Sequence, residues 1–183
     1  MLVLWLSCNQ AQKNTIGVLF PHLEANSRWA KEAGYLKEHG SKQQLEILVK
    51  SAGKSSEHQL QQADSLIDAG AGVLIVAPVN SNKAGEIVRR AHANNVKVLA
   101  YGRTINNATP DYYVSYNVRK IGEAIVGYAL NEKPAGNYVI LSPGRPAGSE
   151  FQLFHECADE YAKAPHQCRQ CGAPIQNICH IVV

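Results

Sequence analysis

The sequence predicts an α/β protein built on a doubly wound parallel sheet. Three observations point there. Short β-rich runs alternate with helical patterns from Asn14 to Ser142. TIGVLF and GVLIVAP are apolar runs without alternation, as a strand covered on both faces reads. Capping and breaking residues (Ser55, Gly70, Pro78, Asn117) fall where a helix should start or an element should stop.

Taken in order, TIGVLF (Thr15 to Phe20) is the first strand. Asn26 to His39 follows as a helix, with Trp29, Ala33 and Leu36 on one side at helical spacing. LEILVK (Leu45 to Lys50) is the second strand. The next helix is capped by Ser55 or Ser56, stopped by Gly70, and buries Leu60, Ala63, Leu66 and Ile67. GVLIVAP (Gly72 to Pro78) is the third strand. Asn82 or Ser81 opens a helix with Ile87, Val88 and Ala91 facing inward. VKVLAY, ending at Tyr101, is the fourth strand and YYVSY (Tyr112 to Tyr116) a short fifth. Asn117 caps a helix running through Ile121, Ala124, Ile125 and Tyr128, and NYVILS (Asn137 to Ser142) is the sixth strand.

With 183 residues the chain can bury a real core. Its 45% hydrophobic and 18% charged content is that of an ordinary globular protein. A net charge of +3 without a long Lys/Arg run argues against a nucleic-acid partner.

In open parallel sheets, ligands sit in the crevice beyond the carboxyl ends of the strands. Arg103 lies just past such an end, as do Pro21 to Arg28 after the first strand and Ser142 to Ser149 after the sixth. A polar ligand placed there meets all three. Arg28, near a helix start, reads either as a solvated charge or as a ligand contact. Trp29 reads equally as a core aromatic or as a ligand-facing one. Asn117 reads as a cap, and His22, His39, His58 and His92 as surface residues without metal spacing. Ser142 and Ser149 lack a nucleophile-elbow context, and no glycine-rich phosphate loop follows the first strand. Neither catalysis nor a cofactor is expected.

The segments TIGVLFPHLEANSRW, QADSLIDAGAGVLIVAPVNSN, KVLAYGRTINN, DYYVSYNVRKIGE and GNYVILSP, in that order, resemble the periplasmic sugar-binding proteins of ABC transporters. The D-xylose-binding type is the nearest. The resemblance covers Asn14 to Phe154 and implies a periplasmic-binding-protein type I (LacI-like) fold in which two lobes close on one pyranose. It implies Arg28 and Arg103 as arginines reaching sugar hydroxyls, with Trp29 as the aromatic beside the first. The chemistry suits those roles. A guanidinium offers several donors in a fixed fork, and aromatic faces cover the C–H patches of a sugar. A repressor version of the lobe is not expected, since no helix-turn-helix pattern precedes Asn14.

Departures from the pattern matter. Xylose-type proteins carry an Asp immediately before the second arginine, where this chain has Gly102. They carry an Asp and Asn pair after the sixth strand, where this chain has Ala147, Gly148 and Ser149. Each lost partner in a buried site costs about 1–3 kcal/mol, so either the sugar differs or binding is weak.

The expected organisation is a leader remnant over 1–13, a sugar-binding lobe over 14–154, and an atypical tail over 155–183. In MLVLWLSCNQ, an apolar start too short to cross a bilayer ends at Leu6-Ser7-Cys8. This resembles the end of a lipoprotein signal, with Cys8 as the lipidated residue; a chance cysteine in a clipped leader is the other reading. The tail holds Cys157, Cys168, Cys171 and Cys179 with His155, His166 and His180. A zinc site, disulfides, or an out-of-frame or truncated end all remain open for it. The resemblance implies binding of a monosaccharide in the periplasm or cell envelope, with a membrane permease as partner. A membrane sensor kinase as partner, or a fragment without ligand, are the alternatives.

Overall fold

The computed structural model describes residues 14–133, 137–142 and 177–182, together with Glu156 and Glu160. The described residues form β1 (Thr15–Phe20), α1 (Arg28–Lys42), β2 (Glu46–Ser51), α2 (Ser56–Asp68), β3 (Val73–Val76), α3 (Gly85–Ala93), β4 (Lys97–Tyr101), β5 (Tyr112–Val114), α4 (Val118–Glu132), β6 (Asn137–Ser142) and β7 (Asn177–Val182). Cys8 and its neighbours, Ala147 to Ser149, and Cys157, Cys168 and Cys171 lie outside the described residues.

Five strands make one sheet in the order β2-β1-β3-β4-β5. The pairs β1–β2, β1–β3 and β3–β4 are parallel, with Ile16 opposite Ile47 and Val73, and Leu74 opposite Val98. The side-chain period of two in β1 divides the core. Val18 and Phe20 pack with Trp29 and Ala33 of α1 on one face. Leu19 packs with Ala63 and Leu66 of α2 and Ile87, Val88 and Ala91 of α3 on the other. Helices therefore cover both faces, as the continuous apolar strands predict. Gly17 makes the second face possible: a Cβ there would lie 2.7 Å from Leu74 Cδ2 and 2.9 Å from Leu66 Cδ1. Without a side chain at Gly17, α2 settles directly on β1.

Local chemistry sets the helix ends. Ser27, Ser55 and Asn117 cap α1, α2 and α4, their side-chain oxygens accepting from Ala30, His58 and Lys120 N–H. α2 closes with Gly70 at φ +87°, Gly70 N–H bonding Ile67 O and Ala71 N–H bonding Leu66 O. α3 begins later than expected. Asn80 Oδ1 accepts from Asn82 and Lys83 N–H, so those residues make a turn, and Ala84 precedes the helix without a side-chain cap.

The chain divides into two compact units. One comprises residues 14–101 with Ile105–Tyr113; the other comprises Gly102–Thr104 and the described residues from Val114 on. In the second unit β6 does not join the five-stranded sheet; it pairs in parallel with β7, Tyr138 opposite Ile178. β7 lies in the tail, where no strand was expected. On α4 only Gly122 is buried, while Ile121, Ile125 and Tyr128 are exposed. No helix among the described residues is long and apolar enough to cross a membrane.

Candidate functional site

The strand order 2-1-3-4 places the switch in winding direction between β1 and β3, and in open parallel sheets ligands bind beyond the carboxyl ends of the strands at such a switch. The segment after β1 leads through Pro21 and His22 to Arg28, the first residue of α1. The segment after β3 runs from Ala77 to Ala84.

Aromatic packing supports the first segment. Phe20 ends β1 and Tyr101 ends β4, and their rings are 6.3 Å apart. Carrying the strand register one residue on puts Ala77 between them, and this small side chain leaves room for Trp29 to close the cluster. Trp29 lies 5.1 Å from Phe20 and 6.4 Å from Tyr101, centroid to centroid, and is 5% exposed. Arg28 Cζ lies 4.7 Å from the Trp29 ring centroid. The described structure therefore seats Trp29 in the core, with the Arg28 guanidinium against its ring.

Arg28 has a second support. Its Nε donates to Glu32 Oε1 at 2.6 Å, one helical turn on. The Glu32 side chain is 15% exposed against 44% for Arg28. Glu32 Oε2 is buried and has no hydrogen-bond partner among the described residues. His22, expected on the surface, is half-buried, and its Nδ1 likewise lacks a hydrogen-bond partner there.

The segment after β3 is held by Gln59 of α2, which is almost fully buried. Gln59 Nε2 donates to Ala77 O at 2.9 Å and Gln59 Oε1 accepts from Val79 N–H at 3.0 Å. One amide thus satisfies two backbone groups where the strand ends. Asn106 N–H bonds Ser81 O at 2.9 Å, and Asn106 Nδ2 donates to Asn82 Oδ1 at 2.7 Å. Nearby, Asp111 accepts from Lys97 Nζ and Val98 N–H and pairs with His92 Nε2 at 2.8 Å. The Lys97 ammonium foremost, then the Val98 N–H and His92, hold the Asp111 carboxyl well below the usual carboxylate range.

Arg103 belongs to the second unit and is exposed. It follows Gly102, whose φ of +67° turns the chain after β4 and whose N–H donates to Val114 O at 2.7 Å. Arg28 and Arg103 each follow the carboxyl end of a strand, in different units. Among the described residues no group of His, Cys, Asp and Glu is arranged to hold a metal ion.

Glu32 and Gln59 are absent from the candidates that the sequence offers. Gln59 had a signal, because Gln59, Ala63 and Leu66 share one helical stripe; a polar residue heading an apolar stripe is a buried hydrogen-bonding group in waiting. Glu32 had only its spacing of four from Arg28.

An open parallel sheet with helices on both faces and polar segments at its carboxyl edge is the framework of a ligand-binding α/β lobe. The chain belongs to the periplasmic binding protein domain family, whose pattern matches residues 16–179. It is 31% identical over 144 residues to the D-xylose-binding periplasmic protein of Escherichia coli, covering 79% of this chain and 43% of that protein. It is 26% identical over 154 residues to the multiple sugar-binding periplasmic receptor ChvE of Rhizobium radiobacter, covering 81% and 43%. A carbohydrate transporter solute-binding protein from Chloroflexus aurantiacus, solved with D-glucose, superposes with a TM-score of 0.73 at 25% identity, covering 81% of this chain and 44% of that one. The chain spans less than half the length of these relatives.

Proposed function

We propose that this chain is part of an extracytoplasmic receptor that binds a monosaccharide, that Arg28, backed by Trp29, donates to sugar hydroxyls at the carboxyl edge of the five-stranded sheet, and that Arg103 is a second arginine donating to sugar hydroxyls. The observation that carries the reading is the built support of Arg28, a cation braced by Glu32 and an aromatic cluster next to the switch between β1 and β3. The printed functions of the relatives, xylose binding and multiple-sugar binding, support a pentose or a related sugar. They also support a periplasmic setting, and the carbohydrate-transporter protein from Chloroflexus aurantiacus supports a membrane permease as partner. Lipidation at Cys8 would tether such a receptor to the envelope, and a sensor kinase is the alternative partner.

Titration calorimetry with pentoses and hexoses tests the reading. Saturable heat is expected for at least one sugar, weakened roughly tenfold or more by Arg28→Ala and by Arg103→Ala, as loss of a charged hydrogen-bond donor should give. Absence of heat at millimolar sugar, or unchanged affinity in both variants, contradicts it and favours a chain without ligand.

A further inference from the structure

Arg28 occupies an awkward place. It is the first residue of α1, where exposed amides and the helix dipole make the end positive, and the first turn holds no acidic residue to offset it. Its partner Glu32 lies one turn toward the carboxyl end. An acid-before-base order favours a helix, and this pair has the reverse. Helix stability therefore gives only a small reason for the pair. Burial makes it stranger, since Glu32 carries a carboxylate oxygen that is out of water and has no hydrogen-bond donor among the described residues. That costs stability and asks for a cause.

Geometry supplies one. The bond to Glu32 Oε1 fixes the guanidinium through Nε, and the Trp29 ring fixes it across its face. Trp29 is itself held by Phe20 and Tyr101. A guanidinium held through Nε and across its face is a flat fork whose direction is set beforehand. A fork ordered before the ligand arrives loses less freedom on binding, and affinity rises accordingly.

We propose that Glu32 is a positioning residue: through Nε it presets Arg28 as a fork for a ligand's hydroxyl groups and makes no ligand contact of its own. This rests on the reading of Arg28 as a sugar contact. The two are separated by a double-mutant cycle on the whole chain, using whichever sugar of the pentose and hexose panel gives heat. Glu32→Ala is expected to weaken binding roughly tenfold in the wild-type background and by less than about twofold in the Arg28→Ala background. Glu32→Gln, which keeps an acceptor oxygen and the side-chain shape, is expected to stay within about threefold of wild type and covers the case in which Glu32→Ala fails to fold. A purely structural Glu32 would weaken binding equally in both backgrounds, and that result overturns the proposal, as does an unchanged affinity in Glu32→Ala or a Glu32→Gln variant as weak as Arg28→Ala. If Arg28→Ala itself binds as wild type, or no sugar binds, the sugar-contact reading falls and takes the role of Glu32 with it.

Discussion

Ala77 is the smallest side chain in the row that carries Phe20 and Tyr101, and the aromatic cluster depends on its size. Ala77→Leu would push into space that Trp29 occupies; overpacking of this kind costs about 1–3 kcal/mol. Denaturant unfolding followed by tryptophan fluorescence should show that loss. Asp111 governs acid stability. Its carboxyl titrates below its ordinary value of 3.8 in the folded chain, so the stabilisation is present above that value and is lost as falling pH protonates the folded carboxylate. Wild type and Asp111→Asn should therefore differ most near neutral pH and converge in acid, with wild type the more stable. Unfolding midpoints measured from about pH 7 down to about pH 2 check the sign. Residues of this kind are only half legible in sequence. Trp29 could be either core or ligand aromatic until Ala77 was seen to make room for it, because the row across a parallel sheet joins positions far apart in the chain. Glu32 was silent for the opposite reason: an acid four residues from a base is ordinary on a helix, and only burial makes it unusual.

Elements were legible where a pattern is local. Ser55 and Gly70 bracket α2, and Asn117 starts α4, because caps and left-handed stops act within a turn of their own residue. The expected face of α2 is in the core, Ala63 and Leu66 buried and Leu60 and Ile67 packed against them, but hydrophobicity gave no sign of Gln59, which is buried too and reaches two backbone groups after β3. Gln59→Leu would leave Ala77 O buried without its partner, at about 1–3 kcal/mol, and would remove the acceptor of the partly buried Val79 N–H. Thermal unfolding should place it well below wild type, whereas Leu60→Ala, at a partly buried site, should cost less. α1 offers the reverse experiment. Gln44 follows it at φ +57°, with its N–H on Ser41 O and Leu45 N–H on Gly40 O, the place where glycine is favoured. Gln44→Gly should raise stability by about 0.5 kcal/mol, the relief of a left-handed side-chain residue less the entropy that glycine adds to the unfolded chain. A lower melting temperature in that variant would contradict this.

At the scale of the molecule, the order of strands and helices revealed the fold class, because continuous apolar runs between amphipathic helices leave little choice but a sheet covered on both faces. Strand partnership was not written in the same way. NYVILS reads as a strand whichever sheet it enters, and its pairing with β7 depends on a segment 35 or more residues away. The exposed Ile121, Ile125 and Tyr128 on α4 carry a similar lesson: helical spacing marks a face without naming what lies against it. The proposed sugar site depends on the sheet's carboxyl edge, where Arg28 stands braced. Backbone amide chemical shifts recorded while D-xylose and D-glucose are added address that edge directly. Saturable changes should concentrate after β1 and β3, at His22, Arg28 and Val79, and at Arg103 after β4. Changes confined to the opposite edge, around Thr15, Gly72 and Lys97, or no change at millimolar sugar, would contradict a sugar site at the carboxyl edge.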